Sequence, residues 1–466
     1  MKLIPALLAM VSLGALGPRL DAATAARPNI IVIMADDMGA GELGAYGHPT
    51  HRTPNLDQLA RTGVKFETAY TSPVCHPTRF TLMTGQYGFR TGVLNFSGKR
   101  GGPPVKHEGA DDISNHVTFG QVLKNAGYAT ALAGKWQLSG SYPTVVREAG
   151  FDEFCIWGYR EHYSADDRAK AEAAGISFRS RYWHPSVCRN GRWVPTGAND
   201  YGPDIFSDFL LEFVRRKRDQ PFFIYYPMPL THGPWLPTPD SYQPGMNRER
   251  SNAANFQANV EYTDKLIGRL LHALEQAGVR ENTLIIFTGD NGTGGDGKST
   301  ATEKGARVPL IVNAPGLIKT RGTTLALADT SDVFPTVVEF AAANVPAKHV
   351  VDGRSLAPFL RGERDTTREW IFAYQADRRI LRTERWLLED NSPRHYGKLI
   401  DCGASRDGTG YRDVTNSKDT EVIAARAYFD RLLENLPAPL LDHDGAPNEK
   451  NDPEAKRAKR QKKKQG

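Results

Sequence analysis

The chain has 466 residues, a formal net charge of +6, and 24% charged residues. That length is too great for one small domain and suits a large α/β domain with a smaller partner. The charge makes no case for a nucleic-acid binder, because Asn451–Gly466 holds seven Lys/Arg against two acids and leaves the body close to neutral.

In chain order, Lys2, the apolar stretch Leu3–Leu16 and the small residues Ala22–Ala26 have the layout of a secretory signal peptide over residues 1–25. A periplasmic or secreted protein is expected, and no later segment reads as a transmembrane span. Short apolar runs then alternate with amphipathic segments. Ile30–Met34, Ala129–Ala133, Phe222–Tyr226, Leu284–Phe287 and Leu310–Val312 read as buried strands. Asn55–Thr62, Phe119–Ala126 and Phe256–Ala277 read as helices. This rhythm predicts an α/β fold, with a large mostly parallel central sheet carrying helices on both faces, over residues 28–365.

From Thr366 the pattern shifts to shorter strands, Trp370–Tyr374, Arg379–Leu388 and Lys398–Asp401, and a helix over Thr420–Leu436. A small C-terminal α+β subdomain is expected over 366–440, with an antiparallel sheet and a packed helix. Residues 441–466 lack apolar anchors and read as a disordered basic tail, a solubilising end or a weak contact to acidic surfaces. Of the four cysteines, Cys155 and Cys188 could bridge and brace the stretch between them, a pairing that spacing alone leaves open. Asn190-Gly191 and the stretch Gly292–Gly297 mark loops.

In such sheets ligands collect beyond the carboxyl ends of the strands. Asp36 and Asp37 follow the first strand, Lys135 the Ala129 strand, His232 the Phe222 strand, and Asp290 with Asn291 the Leu284 strand. Asp36, Asp37, Asp290 and Asn291 supply only oxygen donors, which suits calcium or magnesium. Singly, each also fits a cap or a turn. A second grouping, Phe178 to His184 with Arg189, Arg192 and Trp193, mixes cations with aromatic faces. Arg181 and His184 there are candidates to grip an anionic sugar, or the group packs locally. Glu161 and His162 are weaker candidates, and His48, His51 and His76 are candidates for the site opening.

The most informative run is Ser72-Pro73-Val74-Cys75-His76-Pro77-Thr78-Arg79, with Leu82, Thr84 and Gly85 behind it. Pro77 suits the first turn of a helix, which would place Cys75 at an N-terminus favourable to anions, with Arg79 beside it. The run resembles the signature of the type I, formylglycine-dependent sulfatases of the alkaline phosphatase-like superfamily. The resemblance extends through Asn29-Ile-Ile-Val-Ile-Met-Ala-Asp-Asp-Met, Thr53-Pro-Asn-Leu-Asp, Gly134-Lys-Trp, Thr231-His, Thr288-Gly-Asp-Asn-Gly, Lys298, Glu303, Arg307, Pro309 and Asp352-Gly-Arg-Ser-Leu, in family order.

The resemblance implies a sulfatase in which Cys75 is converted to formylglycine by a formylglycine-generating enzyme. A hydroxyl of the aldehyde hydrate attacks sulfur, and the second hydroxyl later expels sulfate. It also implies a divalent cation, calcium by family habit and magnesium as the alternative, held by Asp36, Asp37, Asp290, Asn291 and modified Cys75. Asp290 would assist deprotonation, Arg79 would steady the hydrate, Lys135 and Lys298 would bind sulfate oxygens, and His232 would protonate the leaving alcohol. The chain departs from the family at Gly134-Lys135-Trp136-Gln137, where the usual motif has histidine in the last position. Gln137 can orient a hydroxyl but cannot act as a general base. A sulfated carbohydrate is the expected substrate. The alternatives are a phosphonate or phosphate ester hydrolase on the same fold, and a turnover-deficient polysaccharide-binding protein.

Overall fold

The computed structural model describes residues 27–95, 112–142 and 144–439. The stretch 1–25 read as a signal peptide and the stretch 441–466 read as a basic tail lie outside the described residues. Among the described residues no helix is long and apolar enough to cross a membrane.

The main sheet contains β1 (Asn29–Ala35), β2 (Val64–Tyr70), β3 (Ala129–Gly134), β4 (Glu153–Trp157), β5 (Val187–Arg189), β6 (Arg192–Val194), β7 (Phe222–Pro227), β8 (Thr283–Gly289), β9 (Arg307–Asn313) and β10 (Gly322–Asp329). Their order is β10-β2-β9-β8-β1-β7-β3-β4-β5-β6. β1 pairs in parallel with both β7 and β8, and β3 in parallel with β7 and β4. Only β9 and β5 run against the rest of this sheet. The mostly parallel sheet is therefore as expected, although the Leu310 strand is one of the two reversed members.

Every residue of β1, β7 and β8 is buried, which is why these strands read as continuous apolar runs. Alternation divides them between two cores. Ile30, Val32 and Met34 face one with Phe119 and Phe223, while Ile31, Ile33 and Ala35 face the other with Phe206 and Leu266. Helices cover both faces. The carboxyl ends of β1, β3, β7 and β8 consequently open on one edge.

The same alternation rules out the Cys155–Cys188 bridge. Cys188 lies opposite Ile156 across β4 and β5, and Cys155 lies opposite Arg189. The two thiols thus point to opposite faces, Cys155 into one core and Cys188 into the other, and both are free. The loop reading of Asn190-Gly191 matches the turn between β5 and β6, where φ values of 53° and 86° fit a two-residue hairpin.

The second sheet joins β11 (Trp370–Gln375), β12 (Arg378–Thr383), β13 (Trp386–Asn391), β14 (Lys398–Asp401) and β15 (Arg412–Asp413) in sequence order, all antiparallel. The stretch read as one strand over Arg379–Leu388 is a hairpin. Exposed Glu384 and Arg385 form its turn, and the Thr383 hydroxyl accepts from the Trp386 amide at 2.9 Å. The helix Thr420–Leu433 lays Val422, Ala425 and Phe429 against Phe372, Leu381 and Leu388.

The two sheets meet where the Glu389 carboxylate of β13 accepts from the Glu303 amide at 2.6 Å. Burial there pushes the Glu389 carboxyl up to about 7. A folded-state value above the unfolded one makes the folded chain hold more proton through this window, so stability is lost as pH rises from about 4.5 to about 7. Glu389→Gln removes that loss while keeping an acceptor oxygen. The variant is expected to exceed the parent by about 1–2 kcal/mol at pH 8 and to match it at pH 4.5, read from urea midpoints at the two pH values.

Candidate active site

At the carboxyl edge of the sheet, β1 delivers Asp36 and Asp37, β8 delivers Asp290 and Asn291, β3 delivers Lys135, and the loop after β7 delivers His232. Asp37 has a left-handed backbone, φ 59°, and its amide donates to Asp290 Oδ1 at 2.9 Å. That kink turns two consecutive carboxylates toward one place. Gly134 is required for a related reason. Its φ is 119°, and a Cβ would sit 2.0 Å from the Pro227 carbonyl, the same oxygen that accepts from the Lys135 amide at 2.7 Å.

The helix Cys75–Thr84 starts at Cys75 and is buried throughout, so its arginine, Arg79, one turn after Cys75, is carried into the cluster with no solvent exposure. Arg79 Nη2 donates to Asp290 Oδ2 at 2.6 Å and to Asp36 Oδ1 at 3.3 Å, and Nη1 donates to the Lys135 carbonyl at 3.0 Å. Lys135 Nζ reaches Asp36 Oδ2 at 2.6 Å, and Lys298 Nζ reaches Asp37 Oδ1 at 2.6 Å. Three carboxylates therefore meet three fixed cations. A divalent cation and an anionic ester can enter such a site together with little change in its net charge.

Burial pushes the Asp36 carboxyl up, but Lys135, His232 and Arg79 outweigh it and hold it well below the usual range. Asp290 is pushed up to about 7 by burial and by the adjacent Asp36 charge. Burial, only partly countered by Lys135 and Lys298, raises the Cys75 thiol. His232 is pulled down to about 4 by burial and by Lys135, and its Nε2 lies 3.7 Å from Asp37 Oδ2. Burial works against the Lys298 charge, yet Cys75, Asp37 and Asp36 raise it.

The donor set fits a hard cation. Asp36, Asp37 and His232 offer ligand atoms within 4.8 Å of one another. Asn291 donates through Nδ2 to Asp37 Oδ1 at 2.9 Å, while its Oδ1 is buried with no hydrogen-bond partner. A buried amide oxygen left over beside carboxylates is of the donor type a hard cation takes.

The remaining candidates divide. Arg181 reaches the cluster, with Nη1 3.9 Å from Asp36 Oδ2, Nη2 donating to the Gly233 carbonyl at 3.1 Å, and its guanidinium 4.5 Å from the Trp157 ring. Gln137 adopts φ 48° and buries an amide oxygen with no partner. The His184 amide is tied to the Asp200 carbonyl at 3.0 Å, in the loop that follows Arg181. His162 is a packing residue, buried edge-on against Tyr142, with Nδ1 accepting from the Tyr159 amide at 2.8 Å. His76 sets Nδ1 3.2 Å from the Gln137 carbonyl. Trp235 was not legible as a site residue. Its Nε1 donates to the Thr231 carbonyl at 2.9 Å, immediately before His232, and the only signal for it was the long irregular stretch between β7 and the helix Phe256–Gln276.

The mostly parallel sheet, with paired acids and fixed cations at its carboxyl edge, agrees with the alkaline phosphatase-like fold that the sequence resemblance implied. Residues 28–343 match the family model described as Sulfatase. Human arylsulfatase A is 32% identical over 389 residues, covering 76% of this chain and 71% of that protein. A protein named Sulfatase from Formosa agariphila is 32% identical over 426 residues, covering 76% and 77%. The crystal structure of Ps i-CgsB with k-i-k-neocarrahexaose superposes with a TM-score of 0.69 at 24% identity, covering 87% of this chain and 92% of that one. A phosphonate monoester hydrolase from Silicibacter pomeroyi shares the fold at TM-score 0.62 and 20% identity, covering 88% and 95%. The chain belongs to the sulfatase family and is a sulfuric ester hydrolase.

Proposed function

We propose that the protein is an exported sulfatase acting on a sulfated carbohydrate, with Cys75 converted to formylglycine by a maturation enzyme. The observation that carries this reading is the placement of Cys75 at the start of a buried helix whose Arg79 joins Asp36 and Asp290, with Lys135 and Lys298 paired to the neighbouring acids. The hydrate of formylglycine supplies a nucleophilic hydroxyl and, on the same carbon, a second one that releases sulfate. Asp36, Asp37, Asp290 and Asn291 would hold the divalent ion, calcium by donor type. When bound, the ion polarises sulfate oxygens and favours the ionised nucleophile.

The protein's own side chains account for the rest. Lys135 and Lys298 neutralise sulfate oxygens, and the Arg79 fork fixes the carboxylates against which the nucleophile is aligned. His232, uncharged at rest, would take up a proton beside the bound anionic ester and pass it to the leaving alcohol, and Asp290 would accept one from the attacking hydroxyl. The Gln137 amide orients the hydroxyl without taking its proton. The carbohydrate assignment is supported by the Arg181–Trp157 pairing at the site edge and by the relation to N-acetylgalactosamine-6-sulfatase of dog, 31% identical over 377 residues.

The test is sulfate release by matured protein from sulfated saccharides, compared with matched phosphate esters. Sulfate release in excess supports the reading, and a preference for phosphate esters overturns it in favour of the phosphonate or phosphate hydrolase. Chelation is expected to abolish turnover and lower the melting temperature. Calcium at about 100 times its dissociation constant should restore about 2.7 kcal/mol of stability, measured by thermal denaturation with and without the ion.

A further inference from the structure

The loop after β7 that carries His232 is neither helix nor strand, yet its carbonyls from Pro229 to Gly233 are all met by hydrogen-bond donors. The Leu230 carbonyl accepts from the Asp36 amide at 2.9 Å, and the Thr231 carbonyl accepts from Trp235 Nε1 at 2.9 Å. Two consecutive residues of the loop before β5 reach the other three. The Tyr182 hydroxyl lies 2.9 Å from the Pro229 carbonyl and also against that of His232, and Arg181 Nη2 donates to the Gly233 carbonyl at 3.1 Å.

The Gly233 carbonyl serves the imidazole as well. His232 Nδ1 lies 2.5 Å from it. A carbonyl oxygen only accepts, so Nδ1 carries the proton, and the neutral ring keeps its lone pair on Nε2, the nitrogen 3.7 Å from Asp37 Oδ2. That oxygen has two lone pairs, of which the imidazole takes one and the Arg181 guanidinium the other. Rotation of the Gly233 peptide would remove the acceptor that selects the tautomer of His232, and the bond from Arg181 opposes that rotation.

Arg181 can do this because it is itself fixed. Its guanidinium lies 4.5 Å from the Trp157 ring and 5.8 Å from the Tyr182 ring, and its side chain is 11% exposed. The backbone is seated on the first turn of the helix Gly202–Lys217, where the Gly202 amide donates to the Tyr182 carbonyl at 2.8 Å and a Cβ on Gly202 would stand 2.1 Å from the Arg181 carbonyl. Nη1 is 3.9 Å from Asp36 Oδ2, too far for a hydrogen bond, so the bond to Gly233 is the one that aims this side chain.

We infer that Arg181 and Tyr182 are positioning residues for His232: by holding the carbonyls of Pro229, His232 and Gly233 they fix the Nδ1–H tautomer and aim Nε2 at the oxygen of the leaving alcohol. Neither acts on the reacting atoms. The proton taken up on Nε2 passes to the ester oxygen as its bond to sulfur breaks, and the clamp sets the direction of that transfer. The inference rests on the proposed role of His232 as donor to the leaving group.

The kinetic test uses matured protein and a series of phenyl sulfates of one shape whose phenols differ in acidity. Proton donation matters little to a phenol that leaves readily as its anion and greatly to one that does not. Arg181→Met is expected to keep kcat for 4-nitrophenyl sulfate within about threefold and to lower kcat for phenyl sulfate by about 30-fold or more. Tyr182→Phe, which removes only a hydroxyl, should show the same gradient and guards against a folding defect in the first variant. Arg181→Lys, which can still donate to one carbonyl, should recover most of the loss. An equal loss across the series overturns the clamp and makes Arg181 a substrate contact or a plain structural residue, and so does an unchanged series. The tautomer is read without turnover, by nitrogen NMR of histidine-labelled protein at neutral pH, with the His232 signals assigned by their loss in His232→Gln. The parent is expected to show the Nδ1–H form and Arg181→Met a mixture of both forms, whereas an Nε2–H form in the parent overturns the inference. Absence of sulfate release from every ester by the parent would count against the sulfatase reading, while the tautomer still decides the clamp.

Discussion

Replacing Cys75 by alanine is expected to lower sulfate release by at least about 10⁴-fold while leaving the fold intact. The reason is local. Residue 75 opens the buried helix Cys75–Thr84, and Arg79, one turn later, is carried between Asp36 and Asp290 whether or not a side chain is present at position 75. The alanine methyl fits the buried space of the thiol, so the urea midpoint should stay near that of the parent. The check is sulfate release from a sulfated saccharide by matched preparations, with the mass of the residue-75 peptide showing formylglycine in the parent. Comparable rates from the two proteins would remove Cys75 from the mechanism.

The second large effect concerns Arg79. Its guanidinium is fully buried and serves two carboxylates and a carbonyl at once. Arg79→Met keeps much of the volume but leaves Asp36 and Asp290 facing each other without the shared cation. Breaking a buried pair from one side costs about 3–5 kcal/mol, because the remaining charge is left uncompensated in a medium that solvates it poorly. The urea midpoint should fall accordingly in metal-free protein. Added calcium should recover part of the loss by supplying positive charge to the same carboxylates. Arg79→Lys is expected to fall between the two in stability and to stay poor in turnover, since an ammonium cannot form the fork that spans both acids. An unchanged midpoint for Arg79→Met would show that the ion pair adds nothing to the fold.

These expectations draw on parts of the molecule that were legible to different degrees. Asp36-Asp37, Cys75 to Arg79 and Asp290-Asn291 are short runs in which residue type and spacing carry the chemistry, and each follows a strand or opens a helix that its own pattern announces. Arg181 was legible as a cation among aromatics, but its approach to Asp36 depends on the path of the loop from β4 to the helix Gly202–Lys217. Trp235 and Phe256 carried no signal of their own. The contacts of their rings with each other and with His51 exist only because the helix Phe256–Gln276 packs beside the residues that follow β1. The polar edge strand β10 and the hairpin β12–β13 were blurred because neither offers an uninterrupted buried run.

The sequence by itself determined the alternation of buried strands and helices, the edge of the sheet at which polar residues gather, and the chemical type of each member of the charged cluster. Hydrophobic periodicity and short motifs are local properties, and a single chain displays them before it folds. Tertiary structure alone decided which charges pair, which thiols stay apart, and which rings touch. Cys155 and Cys188 show why: they sit on neighbouring strands, yet strand register, set by packing of the whole sheet, turns their side chains to opposite faces. Arg79 meets carboxylates 43 and 211 residues away, a distance along the chain that only the closing of β8 and β1 side by side can cancel.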